Sequence, residues 1–272
     1  MAEFVDLSPE FAEAWRGRDP FEAAFALEGE VFRKVKSRRT FRFELNGNGY
    51  FAKVHRGVGW REIVKNLLMG KRPVLGARNE YEALALLHRA GVDTMTSRAY
   101  GCRGTNPAKL DSFLITAELK NMTTLEDLCR DWPENPPPPR FRHALTRRLA
   151  LSAGGMHGAG INHRDCYLCH FMLDNATRGD ALPRLYVIDL HRAEIRAEVP
   201  YRYRVKDVAG LYFSAMDIGL TRRDRFRFMK VYSGKSLRDT LRGDAAFWRA
   251  VDSAARTLYR KEQRRAQKRA AK

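Results

Sequence analysis

His163-Arg164-Asp165-Cys166-Tyr167-Leu168-Cys169-His170-Phe171 is the stretch that decides the fold, read together with Val187-Ile188-Asp189-Leu190 downstream. Phosphoryl transfer needs an acceptor hydroxyl aligned with the phosphorus and a divalent cation on the phosphate oxygens. The pattern H-R-D-x-x-x-x-N followed by a later D-F-G supplies both. Asp165 stands at the position of the base, and Asp189 at that of the metal-binding aspartate. The fifth residue after Asp165, where the pattern has Asn, is His170. An imidazole nitrogen can ligate a divalent metal, but Mg²⁺ prefers hard oxygen. His170 is therefore a ligand in a site that admits Mn²⁺ as well as Mg²⁺, a hydrogen-bonding group, or a histidine satisfied within its loop.

His-Arg-Asp alone is a weak tripeptide in a basic chain, so the order of the surrounding parts carries the weight. Residues 30 to 55 alternate as an antiparallel meander, with Val31, Phe32 and Val35, then Phe41, Phe43 and Leu45, then Tyr50, Phe51 and Val54 as apolar sets. Asn46-Gly47-Asn48-Gly49 is a strong hairpin turn, because Asn and Gly tolerate positive φ. Lys53, in the third of these strands, matches the kinase lysine that pairs the α- and β-phosphates. Residues 79 to 90 have helical spacing with Gly91 as the stop, which sets Glu80 with Leu84 and Leu87 on the inward face. Glu80 is the expected partner of Lys53, with Glu82 second. The link Ser37-Arg38-Arg39 takes the phosphate-covering position and is basic where kinases are Gly-rich, making Arg38 and Arg39 candidate nucleotide contacts. Phe113 to Ala117 reads as a short strand leading into Glu118-Leu119-Lys120, the expected inter-lobe hinge, where Glu118 is a candidate for the adenine side.

Further along, Thr123-Thr124-Leu125-Glu126 reads as a helix cap with Glu126 as the capping acid. Prolines at 133 and 136 to 139 break the chain, and a long helix from about Arg140 to Gly158 delivers it to the catalytic stretch. Residues 173 to 183 form a turn-rich hairpin in which Asp174 and Asp180 are solvated. Asp207 either hydrogen-bonds the catalytic-loop backbone or simply caps a helix. Helices are predicted over roughly 205–217, 221–233 and 244–265. The whole predicts an α+β, two-lobed protein-kinase-like fold, with an antiparallel-sheet N-lobe and a mainly helical C-lobe. The N-lobe is placed at 1–118, with an insertion at about 60–77, and the C-lobe, with the catalytic loop and a basic C-terminal tail, at 119–272.

Bulk properties narrow the function classes. A chain of 272 residues, 44% hydrophobic and 11% aromatic, belongs to a folded globular protein rather than a disordered one. Fifty Lys and Arg against 32 Asp and Glu give a formal charge of +18, which predicts anionic partners: nucleic acid, anionic lipid or a phosphorylated glycan. Residues 256 to 272 hold eight of the basic residues against the single acid Glu262. Aromatic interleaving there is limited to Tyr259 and no RRM, KH or zinc-knuckle signature occurs, so no nucleic-acid partner is expected. The same charge suits an acidic protein such as an acyl carrier protein. The N-terminus has no basic and apolar leader pattern, and no run of about 18 apolar residues occurs, which predicts a cytosolic protein or one peripheral to a membrane. Cysteines 102, 129, 166 and 169 are too scattered for a secreted disulfide framework. His163, Cys166, Cys169 and His170 also permit a zinc reading, though it would collapse the loop that phosphoryl transfer needs. Trp60 to Ala77, with Arg61, Lys65, Lys71 and Arg72 among Trp60, Ile63, Leu67, Leu68 and Met69, reads as a basic amphipathic surface element.

The run Ile161 to Phe171 with its C-Y-x-C-H-F core, and Val187-Ile188-Asp189-Leu190-His191-Arg192-Ala193, resembles the lipopolysaccharide core heptose I kinase family of WaaP type. Lys53 to Trp60, Pro73 to Ala77 and Gly91 to Met95 resemble it too, so the likeness covers roughly residues 25 to 235. It implies a cytoplasmic kinase peripheral to the inner membrane that uses ATP and Mg²⁺ to phosphorylate the first heptose of the lipopolysaccharide core. By motif position it assigns catalysis to Asp165 and nucleotide or metal contact to Lys53 and Asp189. A phosphorylated glycolipid at an anionic membrane surface suits the basic chain, each Lys or Arg near it contributing about 1 kcal/mol.

Overall fold

The structure, a computed structural model, describes residues 3–35, 37–70 and 73–270. The chain divides into two compact units. Unit 1 comprises Met1–Ala85, Met95–Leu119 and Leu190–Arg192, and unit 2 comprises Leu86–Thr94, Lys120–Asp189 and Ala193–Lys272.

Unit 1 is built on a six-stranded antiparallel sheet of β1 (Glu3–Leu7), β2 (Glu30–Val35), β3 (Arg38–Leu45), β4 (Asn48–His55), β5 (Ser97–Arg103) and β6 (Asp111–Ala117), in the order β1-β5-β6-β4-β3-β2. The β3–β4 hairpin turns on Asn46 and Gly47, whose φ values of 50° and 75° are those a two-residue turn demands. Period-two alternation sends Phe41, Phe43, Tyr50, Ala52 and Val54 to one face, where they pack with Phe11, Trp15, Phe21 and Phe113. Phe11 meets Tyr50 edge-on at 5.1 Å and Phe21 meets Phe113 at 5.2 Å. Each such buried ring contributes about 1.5–3 kcal/mol.

Phe11, Phe21, Ala23 and Ala24 of this core come from two helices that the sequence reading passed over, α1 (Pro9–Ala14) and α2 (Pro20–Ala26). Their signals were local: proline at the first helical position in both, and Asp19 accepting from the Phe21 and Glu22 amides. β1 was also unread, so the meander supplies the second to fourth strands in chain order rather than the first three. Val31 and Phe32, expected as core, are 49% and 59% exposed on the edge strand β2.

Two helices follow in unit 1, α3 (Trp60–Leu68) and α4 (Arg78–Arg89), the latter running into unit 2 and stopping before Gly91 at φ 68°. Lys71 and Arg72 of the predicted basic element lie outside the described residues, as does Lys272 of the tail.

Unit 2 carries β7 (Met122–Thr124), α5 (Leu125–Cys129), α6 (Pro139–Gly158), β8 (Ile161–Asn162), β9 (Phe171–Asp174), β10 (Leu185–Val187), β11 (Glu194–Ile195), α7 (Tyr201–Ser214), α8 (Arg222–Ser233), α9 (Leu237–Gly243) and α10 (Ala245–Ala270). α9 was not predicted, and the basic tail is the exposed end of the 26-residue α10. The acid that reciprocates the Thr124 cap is Asp127, not Glu126: the Thr124 hydroxyl donates to Asp127 at 2.7 Å and accepts from its amide at 3.1 Å. Val208, Ala209, Val251 and Ala255 form a helical core with Phe228, Tyr232, Phe247 and Trp248. An apolar cavity of about 370 Å³ opens in this unit, lined by Leu125, Leu145, Leu168, Leu211, Phe228 and Trp248 among others. Among the described residues, no helix is long and apolar enough to cross a membrane.

Candidate active site

In unit 1, Lys53 pairs with Thr40 on β3 and Leu114 on β6. Alternation places it on the sheet face opposite Ala52 and Val54. There its Nζ meets Glu80 Oε1 at 2.6 Å, with Glu80 only 2% exposed. The helical period explains the choice, since Glu80, Ala83, Leu84 and Leu87 are all buried on one side of α4. Glu82, the second candidate, instead accepts from Arg78 at 2.7 Å.

Positive charge gathers around this lysine. His55, 3% exposed, has its pKa pushed down to about 3 by burial and then by Arg38, Lys53 and His191. It stays neutral where a second cation would otherwise stand. Arg38 and Arg39 lie within strand β3 rather than in the preceding link. The Arg39 guanidinium donates to the Leu27 and Phe25 carbonyls at 2.6 and 3.3 Å and stacks on Phe41 at 4.3 Å. At the end of β6, the Glu118 carboxylate takes two hydrogen bonds from Arg42, at 2.6 and 2.9 Å, and its amide donates to the Gly49 carbonyl at 3.0 Å. A Cβ at Gly49 would lie 1.8 Å from Glu118 Oε2, so any larger residue there would displace the Glu118 carboxylate from its present position.

In unit 2, the stretch from His163 to Phe171 leaves the short β8–β11 pair and is held from beneath by Asp207. This residue, 1% exposed, sits in the second turn of α7, which begins at Tyr201, so the N-cap alternative is excluded. Its two oxygens accept the His163 amide at 2.6 Å and the Arg164 amide at 2.9 Å. Arg164 is in the left-handed region at φ 72°, and its guanidinium donates to Glu194 at 3.1 Å. A non-glycine residue there costs about 1–2 kcal/mol, which the Asp207 bonds offset.

The turn so formed presents Asp165. Its carbonyl accepts from His170 Nδ1 at 2.6 Å, which fixes the ring and turns Nε2 toward Asp189 Oδ2 at 3.6 Å. His163, fully buried, stacks on His170 with ring centroids 5.4 Å apart and hydrogen-bonds the Ile188 carbonyl at 2.9 Å. Burial lowers the pKa of His163. His170 behaves oppositely: burial works against its charge, but Cys169, the Asp165 carbonyl and Asp189 together push it up to about 9. Asp189 is itself left-handed at φ 59°, with its side chain 34% exposed.

Asp189 offers the hard oxygen that a magnesium ion prefers, and His170 stands beside it as a softer nitrogen donor. Among the described residues no three His, Cys, Asp or Glu groups are arranged to hold a metal by themselves, and His163 of the zinc reading instead hydrogen-bonds the Ile188 carbonyl. Cys166 is buried in the loop and its thiol is pushed well above its ordinary range by burial. Asp174 accepts from the Ala176 amide at 3.0 Å, as a turn residue does.

The sequence reading missed several residues that shape this loop. Glu194 anchors Arg164, and Gly210 lets α7 approach closely, since a Cβ there would lie 2.5 Å from the Cys166 carbonyl oxygen. A glycine inside a helical pattern was the available signal for the second. Nothing local announced the first.

The family described as lipopolysaccharide kinase (Kdo/WaaP) matches residues 22–232. The lipopolysaccharide core heptose(I) kinase WaaP of Pseudomonas aeruginosa is 53% identical over 260 residues, covering 95% of this chain and 97% of the relative. The protein of that name from Escherichia coli K12 is 52% identical over 239 residues, covering 87% and 90%. A solved structure described as WaaP in complex with acyl carrier protein, 47% identical, superposes with a TM-score of 0.81 over 94% of this chain and 99% of the other. A kinase-like chain with these two aspartates, so matched over most of its length, belongs to the lipopolysaccharide kinase (Kdo/WaaP) family.

Proposed function

We propose that this protein transfers the γ-phosphate of ATP to a hydroxyl of the first heptose of the lipopolysaccharide core, working at the inner face of the cytoplasmic membrane. The observation that carries the reading is the loop clamped by Asp207, in which the Asp165 carbonyl orients His170 toward Asp189. Asp165 orients the acceptor hydroxyl and takes its proton. Lys53, held extended by Glu80, neutralises the α- and β-phosphates, and Arg38 adds to the positive field there. Arg39 and Glu118 contribute indirectly: Arg39 ties β3 to α2 and Glu118 fixes the strand end that faces the adenine. Magnesium, or manganese, when bound with ATP, neutralises the phosphate oxygens. Asp189 would hold it, with His170 as the second ligand once it has shed its proton. The acceptor class is tested by phosphate incorporation from labelled ATP into dephosphorylated core glycolipid and into a generic protein. Transfer to the glycolipid alone is expected, and equal transfer to protein would refute the assignment.

An acyl carrier protein is the proposed protein partner. The exposed side of α10, with Arg260, Lys261, Arg264, Arg265 and Lys268, suits an acidic surface. The apolar cavity of unit 2 has the lining an acyl chain requires. Co-purification that survives low salt and is lost at high salt is expected, and its absence at both refutes the partnership.

A further inference from the structure

Helix α3 turns most of its apolar side chains outward. Trp60 is 58% exposed, Val64 49%, Leu67 58% and Leu68 84%, whereas Ile63 is 5% exposed. At 3.6 residues per turn these five fall within an arc of about 140°. Ile63 lies at one edge of the arc and is packed into unit 1. Arg61 and Lys65, both exposed, lie just beyond the other edge. The helix is oriented from its start: the Gly59 amide donates to the Ala108 carbonyl at 3.0 Å, and a Cβ at Gly57 would lie 2.5 Å from that same oxygen. The short turn Pro107–Lys109 therefore sets the direction in which α3 leaves the sheet.

Single exposed apolar residues are ordinary, but four large ones on one arc of a nine-residue helix make a surface that asks for a cover. The charge at its border says which. Arg61 and Lys65 flank the arc, Arg56 precedes the helix and Lys71-Arg72 follow it in sequence. The acid of the helix, Glu62, lies outside the apolar arc, accepts from Asn66 at 2.9 Å and stands 3.7 Å from Lys65, an exposed pair that a bilayer surface can replace. An apolar stripe edged by cations, opening on a tryptophan, has the composition of a helix lying in the plane of a bilayer interface. A partner protein would meet the same cations with acids on its own surface, and for such a partner the chain carries five cations together elsewhere, on α10: Arg260, Lys261, Arg264, Arg265 and Lys268.

We propose that α3 is a membrane-docking helix that lays Trp60, Val64, Leu67 and Leu68 into an anionic bilayer with Arg61 and Lys65 among the head groups. This rests on the reading of a membrane-borne acceptor and names the element that meets the membrane. The test is flotation of the full-length protein with vesicles of phosphatidylethanolamine and phosphatidylglycerol, and with neutral phosphatidylcholine. Binding to the anionic vesicles is expected. Leu67→Asp/Leu68→Asp should lower it by about tenfold or more, and Arg61→Gln/Lys65→Gln should bring it to the neutral-vesicle level. Because these side chains are exposed, the melting temperature should not move. Flotation that survives Leu67→Asp/Leu68→Asp overturns the proposal, as does preferential binding of an acidic protein through α3. So does a dimer in sedimentation velocity that the same variant dissolves. Transfer to a water-soluble core oligosaccharide, measured in parallel, should be the same in parent and variant. Failure of that transfer in the parent would sink the kinase reading and leave the vesicle result standing.

Discussion

Replacing Asp207 by Asn tests whether the loop that carries Asp165 is held by one buried carboxylate. Asp207 accepts two backbone amides, from His163 at 2.6 Å and Arg164 at 2.9 Å, at 1% exposure. Hydrogen bonds to a charged acceptor contribute about 1.5–3 kcal/mol each, and a buried amide left without a partner costs about 1–3 kcal/mol. Asn keeps one oxygen and opposes its NH₂ to the other amide, so one bond is lost. The expected destabilisation is about 2–4 kcal/mol, a large part of the roughly 5–15 kcal/mol that holds a domain together. Asp207→Ala loses both bonds and serves less well, because it threatens folding itself. Arg164, at φ 72°, then relaxes toward an ordinary conformation and carries Asp165 with it. A displacement of about 1 Å at a reacting group costs on the order of a hundredfold in rate. Urea unfolding should show a lower midpoint at unchanged slope. Rapid-quench transfer from ATP should show kcat reduced by about ten- to a hundredfold, while ATP binding, proposed to depend on Lys53, should persist. A variant that loses less than about 1 kcal/mol and keeps its kcat would refute the reasoning.

Asp165→Ala should abolish transfer while leaving ATP binding, read by calorimetry, largely intact; undiminished turnover would remove Asp165 from the base position. Asp189→Asn should raise the metal concentration needed for half-maximal rate or eliminate activity, and an unchanged metal titration would reassign the ligand. Lys53→Met and Glu80→Gln should each weaken ATP binding, with a double-mutant coupling of about 1–3 kcal/mol for so enclosed a pair; additive effects would mean that Glu80 does not position the lysine. Gly210→Ala should destabilise by about 1–3 kcal/mol through overpacking, although alanine within a helix is usually favoured by about 1 kcal/mol, because its Cβ would lie 2.5 Å from the Cys166 carbonyl oxygen. A raised melting temperature would contradict that.

Much of the fold was legible because its determinants are local. The Asn46-Gly47 turn, the alternation of β3 and β4 and the period of α4 are each written within a dozen residues, and together they place Lys53 and Glu80 on surfaces that meet. The N-terminal helices were as legible in principle, through Pro9 and Asp19-Pro20, but their apolar rings make sense only against a sheet formed later in the chain. Arg39 looked like a phosphate contact because it is basic and adjoins a link. In this structure it meets the carbonyl of Phe25 in α2 and that of Leu27 just after it, 14 and 12 residues earlier.

The identity of the chemistry, an aspartate pair with histidine in place of asparagine, was determined by the sequence alone, since spacing along one loop and one strand preserves it. The state of that histidine was decided only by tertiary structure. Its pKa of about 9 and its direction toward Asp189 depend on burial, on Cys169 and on the Asp165 carbonyl. The loop that holds it is anchored by Asp207, 42 residues after Asp165 in the chain. Linear sequence records which groups are present; the field and the hydrogen bonds acting on each are sums over neighbours that only folding brings near.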